Sequence, residues 1–139
     1  MNKNILIVDD EPDLLKVTSL RLKKTGYEVF GGIDGQEALD MAHQIIPDLI
    51  ILDVFLPVIK GDDVAQILKR DDELKHIPII LISATTGTLN ERARESGADA
   101  YLTKPFEPEQ LIGMVKNILG KDRGARMYKN KNTMVTTKN

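Results

Sequence analysis

Leu49-Ile50-Ile51-Leu52-Asp53 is four branched apolar residues in a row, closed by an acid. Neither face of such a segment is polar, so it reads as a strand covered on both sides, as in the interior of a parallel sheet. The same holds for Ile5-Leu6-Ile7-Val8, which runs into Asp9-Asp10, and for Ile79-Ile80-Leu81-Ile82, which runs into Ser83. Ala100-Tyr101-Leu102 is a weaker run leading to Thr103-Lys104-Pro105. Tyr27-Glu28-Val29-Phe30 alternates, as an edge strand does.

Helical patterns fill the gaps. The first starts after Glu11-Pro12, carries Leu15 and Leu22, and ends at Gly26. The second opens on Asp34 as an N-cap, with Glu37 three residues on, and repeats Ala38, Ala42 and Ile45 up to Pro47. Val64, Ile67 and Leu68 mark a third, and Leu89 and Ala93 a thin fourth from Thr88 to Ser96. The last starts at Pro108, runs through Leu111, Ile112, Val115, Ile118 and Leu119, and closes at Gly120. Five successive βα units predict an α/β fold. We expect a flavodoxin-like, doubly wound, five-stranded parallel sheet of order 2-1-3-4-5 with helices on both faces. Ligands of such sheets sit at the carboxyl ends of the strands, beside the point where the strand order reverses.

The chain has 139 residues, 42% hydrophobic and 29% charged, which suits one ordinary domain with a substantial core. It has no cysteine, so disulfides, thiolate metal sites and cysteine nucleophiles are excluded, and a reducing cytoplasm fits. Only four apolar residues precede Asp9, too few for a signal peptide or a membrane span, so a soluble cytoplasmic protein is expected. From Gly120 onward Lys121, Arg123, Arg126, Lys129, Lys131 and Lys138 face one acid, Asp122, for a charge of +5. The remainder holds 13 basic and 20 acidic residues, or −7. An acidic body argues against nucleic acid as the domain's own ligand and suits a divalent cation or a basic partner. We therefore expect a domain at 1–120 followed by a basic tail, 121–139, that is disordered or a linker.

The strand ends carry the chemistry. Asp9, Asp10, Asp53, Ser83 and Lys104 come from four strand ends and converge on one rim. Packed carboxylates repel unless a cation compensates them. Oxygen donors without histidine or cysteine favour a hard ion such as Mg²⁺. Lys104 supplies a point charge for an anion and Ser83 a hydrogen bond, so the rim reads as a site for phosphoryl transfer to an aspartate. His43 and His76 lie off the rim and read as surface histidines. Gly31-Gly32 lacks the lysine or further glycines of a phosphate loop.

On Asp9-Asp10, the segment from Asp53 to Gly61, Ser83-Ala84, Tyr101 and Lys104-Pro105, the chain resembles the receiver domain of two-component response regulators, of the chemotaxis-regulator type, over about residues 3–120. The resemblance implies that Asp53 accepts a phosphoryl group from a histidine kinase or phosphotransfer protein. It implies Mg²⁺ held by Asp9, Asp10, Asp53 and the backbone carbonyl of Phe55. It gives Lys104, Ser83 and Ala84 to phosphoryl binding and switching, and makes Tyr101 an aromatic that turns inward as Ser83 moves. It also implies a cis peptide at Lys104-Pro105. The output would be a change at the face formed by helix 88–96, the fifth strand and the last helix. That face would meet a downstream protein target or a second copy in a homodimer. Such a domain is a switch rather than an enzyme, since it catalyses only its own phosphorylation and slow dephosphorylation. Two rivals differ: an aspartate-nucleophile phosphatase spaces its acids two residues apart, and a degenerate docking module would lack part of the acid, hydroxyl and lysine set. Lys60, where the family often has an acid, is expected to matter little. Phe55 and Thr85 occupy positions that tune water access, and Phe55 is expected to slow loss of the phosphoryl group.

Overall fold

Strands and helices alternate from β1 to β4, and the described elements in order are β1 (Asn4–Val8), α1 (Pro12–Lys24), β2 (Glu28–Gly32), α2 (Gly35–Ile45), β3 (Leu49–Asp53), α3 (Gly61–Lys69), β4 (Ile79–Ser83), β5 (Ala100–Thr103), α4 (Pro108–Leu119) and β6 (Thr133–Val135). The computed structural model describes residues 2–84, 91 and 95–120, with the backbone of 133–135. Five parallel strands lie in the order β2-β1-β3-β4-β5, the predicted flavodoxin-like winding. The helix read at 88–96, with Leu89 and Ala93, falls mostly outside the described residues, as does Thr85.

Side chains alternate through the sheet, so each central strand feeds two cores. Leu6, Val8, Ile50 and Leu52 pack with Ala38 and Ala42 of α2 and Val64 and Leu68 of α3. Ile5, Ile7, Leu49 and Ile51 pack with Leu22 of α1 and Leu111, Met114 and Val115 of α4. Asp34 caps α2, its Oδ1 accepting from the Glu37 amide at 2.8 Å. Two core assignments need correction. Ile67 is 46% exposed, because it sits on the outer side of α3 beside Leu68. Met114, absent from the apolar pattern above, is fully buried.

The five parallel strands stand as expected, and β6 joins them at the β5 edge as a sixth, antiparallel strand from within residues 121–139. Thr133 and Val135 are β-branched and suit a strand. Without them β5 would be an uncovered sheet edge. No helix among the described residues is long and apolar enough to cross a membrane.

Candidate functional site

Register brings the acids together. Val8 pairs with Leu52, so β1 and β3 release Asp9 and Asp53 side by side at their carboxyl ends. Asp9 and Asp53 are buried and Asp10 is exposed, and one carboxylate oxygen from each lies within 4.8 Å of the others. The Asp9 Oδ1 accepts from the Glu11 amide at 2.9 Å, and the Asp53 Oδ1 accepts from the Phe55 amide at 3.2 Å. Gly61 makes this turn possible. Its amide donates to the Val54 carbonyl at 2.7 Å, and a Cβ there would run into the Asp53 carbonyl oxygen.

Lys104 reaches across from the end of β5. Its Nζ lies 3.1 Å from Asp53 Oδ2, 3.4 Å from Asp9 Oδ2 and 3.0 Å from Glu11 Oε1. Burial opposes the ammonium's charge, but the hydrogen bond to Glu11 and the charges of Asp53 and Asp9 outweigh it and hold Lys104 above the usual lysine range. For Asp9 the balance runs the other way. Burial raises its carboxyl above the ordinary value, the Glu11 amide and Lys104 oppose the rise, and the Asp53 charge adds to it. The pocket thus holds more negative charge than one lysine neutralises.

The remaining residues lie at the neighbouring strand ends, in the following loops and in the core. Ser83 is buried at the end of β4, and its carbonyl accepts from the Lys104 amide at 2.8 Å. The Lys104-Pro105 peptide is cis. Ala84 is exposed and, with Leu14, Lys104, Pro105 and Phe106, lines a cavity of about 470 Å³ beside the acids. Tyr101 is buried in the core on the α2 and α3 side, so it already points inward. Phe55 is 45% exposed at the rim, with the Lys60 ammonium 5.8 Å from its ring centroid. Val58, beyond Pro57, has φ +72° and closes a three-residue turn in which the Ile59 amide donates to the Pro57 carbonyl at 2.8 Å. That is the rare, strained hand of the γ-turn.

His43 and His76 are both exposed and stand apart from the cluster. His43 Nδ1 is 2.9 Å from the Leu39 carbonyl, and Nε2 is 2.9 Å from Asp71 Oδ2. Those two contacts raise its pKa and tie α2 to the segment after α3. Sequence reasoning missed Glu11. Standing before Pro12, it reads as a helix start, yet its carboxylate makes the shortest contact to Lys104.

Comparison with known proteins then decides the family. The response regulator receiver domain matches residues 5–116. The chain belongs to that family. This receiver domain is 39% identical over 121 residues to the polar-differentiation response regulator DivK of Brucella anthropi, covering 86% of the present chain and 98% of DivK. The DNA-binding dual master transcriptional regulator RpaA of Synechocystis is 39% identical over 117 residues, 83% of this chain, which spans only 48% of RpaA's length. Among solved structures, the chemotaxis response regulator CheY4 of Vibrio cholerae is 32% identical with a TM-score of 0.80, covering 86% of this chain and all of CheY4. The receiver domain of the sensor histidine kinase PA1611 from Pseudomonas aeruginosa, solved with a magnesium ion in its active-site cleft, is 28% identical with a TM-score of 0.79, over 87% of this chain and all of that one.

Proposed function

We propose that this receiver domain accepts a phosphoryl group on Asp53 from a phosphohistidine of a histidine kinase or phosphotransfer protein. The observation that carries the reading is the Lys104 ammonium at 3.1 Å from Asp53 Oδ2, on the rim where three carboxylates meet. With Oδ1 held by the Phe55 amide, the oxygen on the Lys104 side attacks phosphorus. The P–N bond breaks and its electron pair leaves with the imidazole, so Asp53 becomes an acyl phosphate. Asp9, Asp10, Asp53 and the Phe55 carbonyl would hold Mg²⁺, which neutralises charge on the phosphoryl oxygens. An all-oxygen donor set fits that ion, as does the magnesium in the PA1611 receiver domain.

After transfer the lysine follows the new anion, and the Ser83 hydroxyl turns toward a phosphoryl oxygen. That motion reaches Ala84, β5 with Tyr101, and α4, the face proposed to meet a downstream protein target or a second copy. The donor has a different landing place. Val17 of α1 is half exposed and, with Leu14, Phe106 and Ile112, lines an apolar cleft between α1 and α4. Such a patch suits an amphipathic helix presenting its histidine to Asp53. The chain turns over no external substrate in this reading and works in the cytoplasm.

A small acyl phosphate with Mg²⁺ tests the proposal. Intact mass should rise by one phosphoryl group, the adduct should be labile to base, and Asp53→Asn should abolish it. Modification that survives in Asp53→Asn and maps to Ser83 would overturn the assignment.

A further inference from the structure

The outer edge of β5 is occupied by the chain's own tail. Val135 stands opposite Ala100, Met134 opposite Tyr101 and Thr133 opposite Leu102, antiparallel. The hydrogen-bond parity of β5 is set by its other neighbour. Ser83 pairs with Thr103 while the Lys104 amide donates to the Ser83 carbonyl, so alternation turns the backbone groups of Leu102 and Lys104 toward β4. Those of Tyr101 and Thr103 turn outward. Tyr101 and Met134 are therefore the pair that exchanges both hydrogen bonds, and Leu102 is bonded to the sheet interior whatever the tail does.

We propose that residues 133–135 are an intramolecular ligand of the β5 edge, holding the backbone of Tyr101 and excluding any other strand from it until they are displaced. Two features support a cis occupant. Residues 121–132 form a 12-residue connection, short enough that tethering supplies an effective concentration in the millimolar range. The tail carries +5 and the body −7, so at low ionic strength net charge favours their encounter within one chain. A strand arriving from another chain has to exceed that local concentration. A three-residue pairing is weak enough to yield to one with more contacts. In what it would regulate, the inference rests on the proposed function, because this edge belongs to the proposed output face.

Proline scanning in the full chain tests it. Met134→Pro removes an amide aimed at Tyr101, whereas Val135→Pro removes one aimed away from β5, which an edge strand tolerates. Hydrogen exchange at the Tyr101 amide should accelerate at least tenfold in Met134→Pro and stay near the unmutated rate in Val135→Pro. The Leu102 amide should hold its rate in all three chains. A peptide of residues 129–139, added at millimolar concentration, should shift the Tyr101 amide resonance of Met134→Pro and leave the unmutated chain unchanged. Equal Tyr101 exchange in the three chains, or a peptide that affects both chains alike or neither, overturns the inference. Acyl phosphate labelling of the same samples keeps the two readings apart. A chain that shows the edge behaviour but takes no phosphoryl group overturns the proposed function and leaves the cis strand standing.

Discussion

Asp9→Asn should make the metal-free protein more stable, although it removes a contact to Lys104. At an effective dielectric constant of about 20, carboxylate oxygens within 4.8 Å of each other repel by about 3.5 kcal/mol or more, and an ammonium about 3.4 Å away attracts by about 5 kcal/mol. Asp53 supplies one such repulsion for Asp9, and exposed Asp10 adds a more screened one. Most of the attraction to Lys104 is thereby offset. What is left is the cost of burying an ionised carboxylate at 4% exposure, several kcal/mol, against about 1.5–3 kcal/mol returned by the Glu11 amide. Asparagine keeps the acceptor for that amide and drops the charge. We expect a gain of about 1–3 kcal/mol at pH 7, or roughly 4–10 °C in Tm for a domain of this size. The pH dependence carries the sign. The Asp9 carboxyl titrates above 3.8 in the folded chain, so the folded state takes up the proton first and acidification relieves the unmutated protein. The gap between variant and parent is full above the folded-state value and closes as pH falls through it toward 3.8. Added Mg²⁺ closes the gap from the other side. At ten times its Kd it stabilises the parent by about 1.4 kcal/mol and the variant by less. Paired thermal melts at pH 7 and in mild acid, with and without the ion, measure all of this. A variant that melts below the parent at pH 7 without divalent cation refutes the charge balance described for the pocket.

Ser83→Ala should still take up a phosphoryl group but lose roughly 10- to 150-fold in its active-to-inactive ratio, since a hydrogen bond to a charged oxygen is worth about 1.5–3 kcal/mol. Amide shifts of residues 95–105 with and without a phosphate mimic read that ratio, and a full response in the variant removes Ser83 from the switch. Gly61→Ala should cost about 1–3 kcal/mol in urea unfolding, because its Cβ meets the Asp53 carbonyl rather than a movable side chain. Unchanged stability would mean that the β3–α3 turn is looser than its hydrogen bonds suggest. Val58→Gly should stabilise by about 0.5–1 kcal/mol, as relief of about 1–2 kcal/mol of positive-φ strain exceeds the roughly 0.5–1 kcal/mol entropic cost of glycine. A loss in that variant would show that the exposed valine side chain has a packing role.

The strands were legible because burial on both faces leaves no polar position in Leu49–Leu52 or Ile79–Ile82, a pattern set by solvent alone. Once their order follows from right-handed crossovers, the residues after each strand share a rim by topology. Asp9, Asp53, Ser83 and Lys104 could therefore be grouped without any knowledge of side-chain contacts. Features that depend on tertiary register or on one backbone angle stayed hidden. Val58 carries a positive φ with none of the glycine, asparagine or aspartate that signals such a turn. Met134 and its neighbours are three residues in a polar tail, too few to show a period of two, and only the unpaired edge of β5 makes them a strand. Glu11 shows most clearly why. Its sequence position belongs to the start of α1, but its carboxylate is where Lys104 rests, so the lysine's partner is fixed by the fold rather than by proximity in the chain. Glu11 is also the exposed one of the three acids on Lys104, so under the proposed function it is the partner an incoming phosphoryl group would displace first.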